Sequence, residues 1–467
     1  MKDRWVVTPA DQEKITEFAG RFNVDNRLAA LLVQRTGGDP LRAESFLQPD
    51  LSALHDPFLM KNMEEAVERI VRAVKGRDKI GVFADSDIDG LSSYTVLWTL
   101  LKGMGCPHPF LRYTRDDEDY GLSCAIIDEF AQKGVGLLIT LDTGIRDTDE
   151  IKKAREKGMD VIVVDHHEPG EGLPDAIIVN PKQRDCPYPF RNLAGVGVTY
   201  KLCRAIQQYA PTYGDSIDST LDLVALGTIA DIMPLEDENR AIVRHGLEKM
   251  RSTTHPGLRM LIKKNRLEPG SRAVAWSVAP LLNTPGRFGR TELTERFFLS
   301  GDEQELLAVL KEIESLNSER KKNIVELYER FHCKLSNDGT IAGKNFIFIE
   351  DEQIPDGLCG LLANRLVDAF NKPVIVVSRA DGKEVVKGSG RSDGSINFFS
   401  TVEPHGDLFE KLGGHAQAFG FSARVERLDE IKKAIEEGLE GHGGGPGPEV
   451  HIDLEIELSE IRDEFVQ

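Results

Sequence analysis

No stretch of this 467-residue sequence reaches 18 unbroken apolar residues, so no segment reads as a helix that spans a bilayer. Cysteine is scarce. The six, Cys106, Cys124, Cys186, Cys203, Cys333 and Cys359, form no CxxC pair and have no short-spaced histidine partner, which fits reduced structural thiols in a reducing compartment rather than a disulfide framework. Positive charge is also short, with 58 Lys plus Arg against 77 Asp plus Glu and a net charge of −19. That balance argues against a protein that coats nucleic acid through bulk charge, because such coating needs many cation–phosphate contacts; it leaves room for a local basic groove. The start, MKDRWVVTPADQEK, lacks the basic stretch and apolar core of a secretory leader, so the expected location is the cytoplasm. No internal repeat is visible. What is present, 40% hydrophobic and 29% charged residues with 43 glycines, is a globular composition, at a length that suggests about three domains.

Periodicity orders the chain. Residues 11–22 and 26–34 read as short helices, punctuated by Pro40 and Pro49. After Met63, apolar runs at 79–83, 136–141, 160–164 and 176–179 alternate with helical stretches at 64–74, 92–102, 123–132 and 149–157. This alternation predicts βαβ units and a mostly parallel sheet, in which ligands sit at the C-terminal strand ends. Residues 303–335 place Leu306, Leu310, Ile313, Ile324, Leu327 and Phe331 close to helical spacing, as expected for a long connector helix between two lobes. A second, smaller α/β segment follows: a strand at 346–349, a helix at 358–371, a strand at 373–377, a turn at Asp381-Gly382 and a glycine-rich stretch ending near Arg424. Residues 438–448 have the composition of a flexible linker. Beyond them Ile452, Leu454, Ile456 and Leu458 alternate with His451, Asp453, Glu455 and Glu457, a strand that either docks on the preceding body or opens a further domain.

Chemistry concentrates at the ends of the apolar runs. Ala84-Asp85-Ser86-Asp87-Ile88-Asp89-Gly90 follows the first run directly. Three carboxylates at i, i+2 and i+4 in a turn converge when a cation holds them, and a hard divalent ion is the natural partner. The six positions also match the start of an EF-hand loop, but the twelfth is Val96 instead of a bidentate glutamate, and a strand precedes the motif. Asp142 follows the run ending at Leu141, Asp165-His166-His167 follows Val164, and Asp231 ends the apolar segment 221–230. A lone aspartate at a strand end is most often a helix cap or a turn residue, and a histidine pair can cap as well. Four such clusters at strand exits of one parallel sheet would instead share an edge and suffice for two metal ions. Mixed Asp and His ligands suit Mn²⁺ well and Zn²⁺ or Mg²⁺ less clearly. Two ions about 3.5–4 Å apart would stabilise both oxygens of an in-line phosphoryl displacement, so the chemistry suggested is phosphoester hydrolysis.

Asp165-His166-His167 resembles the signature of the DHH phosphoesterases, and Gly413-Gly414-His415-Ala416-Gln417-Ala418 with Lys387-Gly388-Ser389-Gly390-Arg391-Ser392 resembles the accompanying DHHA1 domain. Within that superfamily the sequence is similar to the bacterial RecJ single-stranded-DNA exonucleases. The likeness extends to Asp56-Pro57-Phe58-Leu59, Tyr120-Gly121-Leu122, Gly227-Thr228-Ile229-Ala230-Asp231 with Pro234-Leu235 and Glu238-Asn239-Arg240, and Leu282-Asn283 with Gly286-Arg287, in order to about residue 424. The resemblance implies an α/β fold with the active cleft between a DHH lobe and a DHHA1 lobe. It divides the chain into an N-terminal helical segment (1–50), a DHH catalytic domain (51–300), a connector helix (301–338), a DHHA1 substrate-binding domain (339–437), and a linker with the start of a truncated OB-fold (438–467).

Carried over position by position, the family's metal ligands are Asp85, Asp87, Asp89, Asp142, His166 and Asp231, with Asp142 bridging two Mn²⁺ ions, or Mg²⁺ in their place. His167 contacts the scissile phosphate and Asp165 orients a ligand histidine. Arg115, Arg287, Ser389, Arg391, Gly414 and His415 face the DNA backbone, although each arginine alone reads as a surface ion pair. Tyr120 stacks on a base, worth roughly 1–3 kcal/mol, or sits in the core. Two departures touch the entry to the site: Ser86 stands where tyrosine is usual and Asp119 where glycine is usual. The expected activity is 5′-to-3′ hydrolysis of single-stranded DNA to nucleoside 5′-monophosphates in DNA repair and recombination, beside a single-strand-binding protein and a helicase. Members usually continue into an OB-fold, so the grip on long DNA is expected to be weaker here. The alternatives are a phosphodiesterase for short oligonucleotides or cyclic dinucleotides, and a catalytically silent DNA- or replisome-binding relative. Silent relatives lose metal ligands, whereas here every expected acid and both histidines are present.

Overall fold

The computed structural model describes residues 4–9, 11–115, 121–211, 217–379, 384–392, 394, 396–439, 449–458 and 461, with Ala342, His415 and Glu449 described by backbone alone. The chain divides into two units, one of residues 49–320 and one of residues 1–48 with 321–467. Among the described residues no helix is long and apolar enough to cross a membrane.

The N-terminal segment holds strand β1 (Arg4–Val7) and helices α1 (Gln12–Phe22), α2 (Asn26–Thr36) and α3 (Pro40–Leu47). Each helix opens on an aspartate, Asp11, Asp25 or Asp39, whose carboxylate accepts from N–H groups of the first turn. Their apolar faces meet in a small core around Ile15, Phe18, Leu32 and Ala43.

In the unit of residues 49–320 the chain runs through α4 (Met63–Gly76), β2 (Ile80–Ala84), α5 (Ile88–Gly103), β3 (Phe110–Arg112), α6 (Cys124–Gln132), β4 (Leu137–Leu141), α7 (Thr148–Glu156), β5 (Asp160–Val164) and β6 (Ile177–Val179). The described strands form one parallel sheet in the order β3-β2-β4-β5-β6. Alternate residues serve two cores. Val82, Ile139, Leu141 and Val164 face one layer, while Phe83, Leu138, Val161 and Val163 face the other, which is why these strands read as unbroken apolar runs. β3 has only three residues, too few for a visible alternation, and was not expected.

Helices α8 (Gly195–Tyr209), α9 (Leu221–Ala230) and α10 (Asp237–Arg251) follow. The segment 221–230 corrects the expectation of a fourth strand exit: it is helical, and Asp231 is its C-cap. Residues 221–229 are all buried, and an element apolar on every side is a buried helix as readily as a strand.

The helix Glu303–Ser336 begins in this unit and ends in the other. Val309, Leu310 and Ile313 belong to the first core, and Ile324, Leu327, Phe331 and Leu335 to the second. In the second unit β7 (Ile347–Asp351), the helix Cys359–Phe370 and β8 (Val374–Ser378) make a parallel βαβ step. The glycine-rich stretch then forms antiparallel strands β9 (Val385–Arg391), β10 (Lys411–His415) and β11 (Ala418–Arg424), and the sheet order is β10-β11-β9-β8-β7. Gly388 and Gly390 are required there: a Cβ on either would lie 2.3 Å from the ring of Phe421 or Phe419.

β12 (Glu449–Ile452) pairs in parallel with β1, and Leu454 packs on the N-terminal helical core. Gln34 Nε2 donates to the Asp453 carbonyl, and the Arg35 guanidinium meets the Asp453 carboxylate at 2.9 Å. The strand expected over the alternating residues 451–458 is found at Glu449–Ile452 instead and docks on the N-terminal segment, while residues 453–458 are not strand. The turn at Asp381-Gly382 and residues 440–448 of the expected linker lie outside the described residues.

Candidate metal centre

Parallel register brings three acids to one sheet edge. Ala84 pairs with Leu141, Leu141 with Val164, and Val164 with Val179, so Asp85, Asp142 and Asp165 are each the first residue past their strand. Their N–H groups extend the ladder, donating to the carbonyls of Leu141 (3.1 Å), Val164 (2.9 Å) and Val179 (3.1 Å). From that edge Asp87 caps α5 by accepting from Gly90 N (3.0 Å), which places Asp89 in the first turn of the helix. The Asp89 carboxylate accepts in turn from Gly195 N (2.7 Å) and Val196 N (2.8 Å), the free donors at the start of α8. Close approach explains two glycines. A Cβ on Gly195 would lie 2.4 Å from Asp142 Oδ1, and one on Gly227 2.9 Å from Asp89 Oδ1.

His166 stands in the middle of these acids. Its Nε2 is 3.2 Å from Asp142 Oδ1 and 3.6 Å from Asp231 Oδ2. Two trios have potential ligand atoms within 4.8 Å of one another, Asp142/His166/His167 and Asp89/His166/Asp231, and His166 belongs to both. Asp165 is fully buried and does not join the acids. It accepts from the backbone N–H of Ile145, His166 and His167 and from His167 Nδ1 (2.8 Å), so the ring it orients is that of His167 and not, as expected, that of the ligand His166, whose Nδ1 finds no hydrogen-bond partner among the described residues.

The electrostatics of the pocket are those of crowded anions. Burial and then the charge of Asp89 push the Asp142 carboxyl well above its ordinary range, and burial with Asp231 does the same to Asp89. Loss of water and the neighbouring Asp87 raise Asp231 to about 7; loss of water and Asp85 raise Asp87 to about 6. Burial and the nearby His167 charge lower His166 to about 3, leaving it neutral as a ligand imidazole must be. His167 loses water too, but the charge and hydrogen bond of Asp165 lift it to about 9. Asp142 Oδ1 is buried with no hydrogen-bond partner among the described residues. An orphaned carboxylate oxygen facing a neutral imidazole and further carboxylates is a donor set for divalent cations, so the residues present fit such ions.

Asp142 (φ 60°) and Ile232 (φ 57°), the residue after Asp231, hold left-handed backbone, at about 1–2 kcal/mol each. Of the other expected residues, Arg115 is exposed beyond β3, and Arg287 is half-buried in the turn Thr284–Arg287. Ser389 and Arg391 lie on β9 and Gly414 on β10, in the other unit. The Arg391 guanidinium donates to the carbonyl of Gly390 (2.7 Å) and covers Gly360, where a Cβ would lie 2.7 Å from its Nη2. Tyr120 and Asp119 lie outside the described residues, as does the side chain of His415. Three contributors were missed as site residues. The N–H groups of Gly195 and Val196 leave no side-chain signal, and Asn283, whose Oδ1 accepts from Ile88 N (2.9 Å), sits 195 positions away along the chain.

Residues 79–228 match the DHH family, N-terminal domain, and residues 343–441 the DHHA1 domain. The single-stranded-DNA-specific exonuclease RecJ of Dickeya dadantii is 30% identical over 430 residues, 87% of this chain and 74% of that protein. The chain belongs to the RecJ family. The RecJ of Bacillus subtilis is 36% identical over 440 residues, 93% of this chain and 55% of the relative, so the chain spans about half the length of that family member. The crystal structure of Thermus thermophilus RecJ in complex with Mn²⁺ superposes with a TM-score of 0.82 at 27% identity, covering 96% of this chain and 64% of the other. RecJ-family membership accounts for the order of the elements: a parallel DHH sheet, a long helix and a DHHA1 domain.

Proposed function

We propose that this chain is a divalent-metal-dependent exonuclease that hydrolyses single-stranded DNA from its 5′ end to nucleoside 5′-monophosphates, in DNA repair and recombination. One observation carries the reading: Asp89, Asp142 and Asp231 converge on a neutral His166, with Asp142 Oδ1 buried and unbonded among the described residues. The names of the Bacillus and Dickeya relatives and the Mn²⁺ complex of the Thermus relative support it. Asp85, Asp87, Asp89, Asp142, His166 and Asp231 would hold two Mn²⁺ or Mg²⁺ ions, Asp142 between them. Bound there, such ions supply the charge that stabilises both the attacking and the leaving oxygen of an in-line phosphoryl displacement. His167, tied through Nδ1 to Asp165, turns its Nε2 to the scissile phosphate. Arg115 and Arg287, with Ser389, Arg391, Gly414 and His415 of the second unit, take the DNA backbone, and Tyr120 stacks on a base.

In this reading residues 51–300 are the catalytic domain, 301–338 the connector and 339–437 the substrate-binding domain. The protein works in the cytoplasm beside a single-strand-binding protein and a helicase. The test is a denaturing gel of 3′-labelled single-stranded DNA incubated with Mn²⁺, with EDTA, and with the Asp142→Ala variant. A ladder shortening from the 5′ end only with Mn²⁺ and the parent protein is expected. Intact DNA in every lane sinks the proposal.

A further inference from the structure

We infer that the Ile232 side chain seats the unpaired nucleobase next to the phosphate held at the acidic centre; this rests on the nuclease reading and names the part of the substrate met there. α9 ends in a paired 5→2 and 6→1 bonding pattern: Ile232 N donates to the Ile229 carbonyl (3.1 Å) and Met233 N to that of Thr228 (3.2 Å). The left-handed position of that motif belongs to glycine by preference, because a Cβ crowds the following carbonyl there. In this chain it carries isoleucine at φ 57°, a β-branched residue for which that backbone is an outlier.

Burial does not compensate, since Ile232 is 88% exposed. The backbone bonds do not need it either, for glycine makes both N–H donations equally well. A lone exposed isoleucine calls for no explanation; one kept at a position where glycine would relieve strain does, and such outliers gather at functional sites. Its place supplies the function. The preceding residue, Asp231, puts its carboxylate 3.6 Å from His166 Nε2, so the isoleucine flanks the metal-ligand trio Asp89/His166/Asp231. Beyond the ligand Asp231 the chain carries the exposed acids Glu236 and Asp237, which repel any phosphate that no cation holds. The flat, uncharged face of a base is the substrate group that an aliphatic side chain can hold there, through dispersion and exclusion of water.

The test separates binding from cleavage. Affinity for a fluorescein-labelled single-stranded oligonucleotide is read by anisotropy with Ca²⁺ in place of Mn²⁺, for the parent, Ile232→Gly and Ile232→Asn, on intact DNA and on DNA abasic at its first two 5′ positions. Asparagine tolerates the left-handed backbone, so this variant removes the apolar surface while keeping the turn. The expected result is an affinity about fivefold weaker for both variants on intact DNA, with parent and variants equal on abasic DNA, and melting temperatures no lower than the parent's. Unchanged affinity in the asparagine variant, or a melting temperature lowered in both variants, overturns the contact. Mn²⁺-dependent shortening of the same oligonucleotide by the parent reads the nuclease proposal separately. Cleavage with unchanged variant affinity leaves the nuclease standing without the contact, and a parent that neither binds nor cleaves overturns both.

Discussion

Asp142 is held against two opposing demands. Its backbone is left-handed, its carboxylate is packed against Gly195, and its charge is crowded by Asp89, Asp87, Asp85 and Asp231. A cation relieves the crowding; without one the charge destabilises the fold. Asparagine keeps the shape and tolerates the backbone, so Asp142→Asn should melt about 2–4 °C higher than the parent in EDTA, the shift expected from roughly 1 kcal/mol of relief. In Mn²⁺ the order should reverse, and cleavage should fall by roughly 10²-fold or more. Thermal melts with and without metal check this, and a parent that melts higher in EDTA would count against it. Asp160 illustrates a carboxylate with the opposite balance. Loss of water raises its pKa, but Arg69 and Arg155, at 2.6 and 2.9 Å, outweigh that and bring it below the ordinary 3.8. With the folded value below the unfolded one, its contribution is fully present above about pH 4 and is lost as the pH falls through the folded value. Asp160→Asn should therefore show a shallower loss of stability below pH 4 in acid titrations followed by circular dichroism; an acid limb as steep as the parent's refutes this.

At the scale of elements, α8 and α10 are locked by a buried ion pair. Lys201 Nζ lies 2.7 Å from Glu238 Oε1, and both side chains are essentially inaccessible. Glu238 also accepts from the Tyr188 hydroxyl (2.6 Å) and from His55 N (2.9 Å). Removing one partner leaves the other buried without its counter-charge, so Lys201→Met should lose about 3–5 kcal/mol in urea unfolding, whereas a loss under 1 kcal/mol would contradict the pair's part in holding the two helices. The sequence likeness had noted Glu238-Asn239-Arg240 without saying what the glutamate does, because its partners sit 37 to 183 positions away. Where a pattern is local the elements were legible. The strand at residues 160–164 appears with those bounds, and the helix expected at 303–335 runs Glu303–Ser336. Where a segment is apolar on all sides, as at 221–230, period cannot separate helix from strand, and the nine buried residues of α9 were open to either reading.

For the whole molecule, the clustered ligands all belong to residues 49–320, so metal should act on that unit selectively. A ligand at 100 times its dissociation constant adds about 2.7 kcal/mol to the state that binds it. Differential scanning calorimetry with Mn²⁺ should raise one transition, and that shift should vanish in Asp142→Asn; equal shifts in every transition, or none, would contradict the assignment. The alternation of strand and helix, the acids at strand ends and the histidine pair are legible in the chain alone, because each is written in neighbouring residues. Parallel pairing then obliges Asp85, Asp142 and Asp165 to share an edge, as the register of β2, β4, β5 and β6 shows. It took packing to settle that α8 offers its first N–H groups to Asp89, that Asp231 arrives from a helix, and that Asp165 turns away from the acids to orient the imidazole of His167. The physical reason is that a backbone donor or a carboxylate's direction has no signature along the chain. It exists once packing brings residues a hundred positions apart within hydrogen-bonding distance.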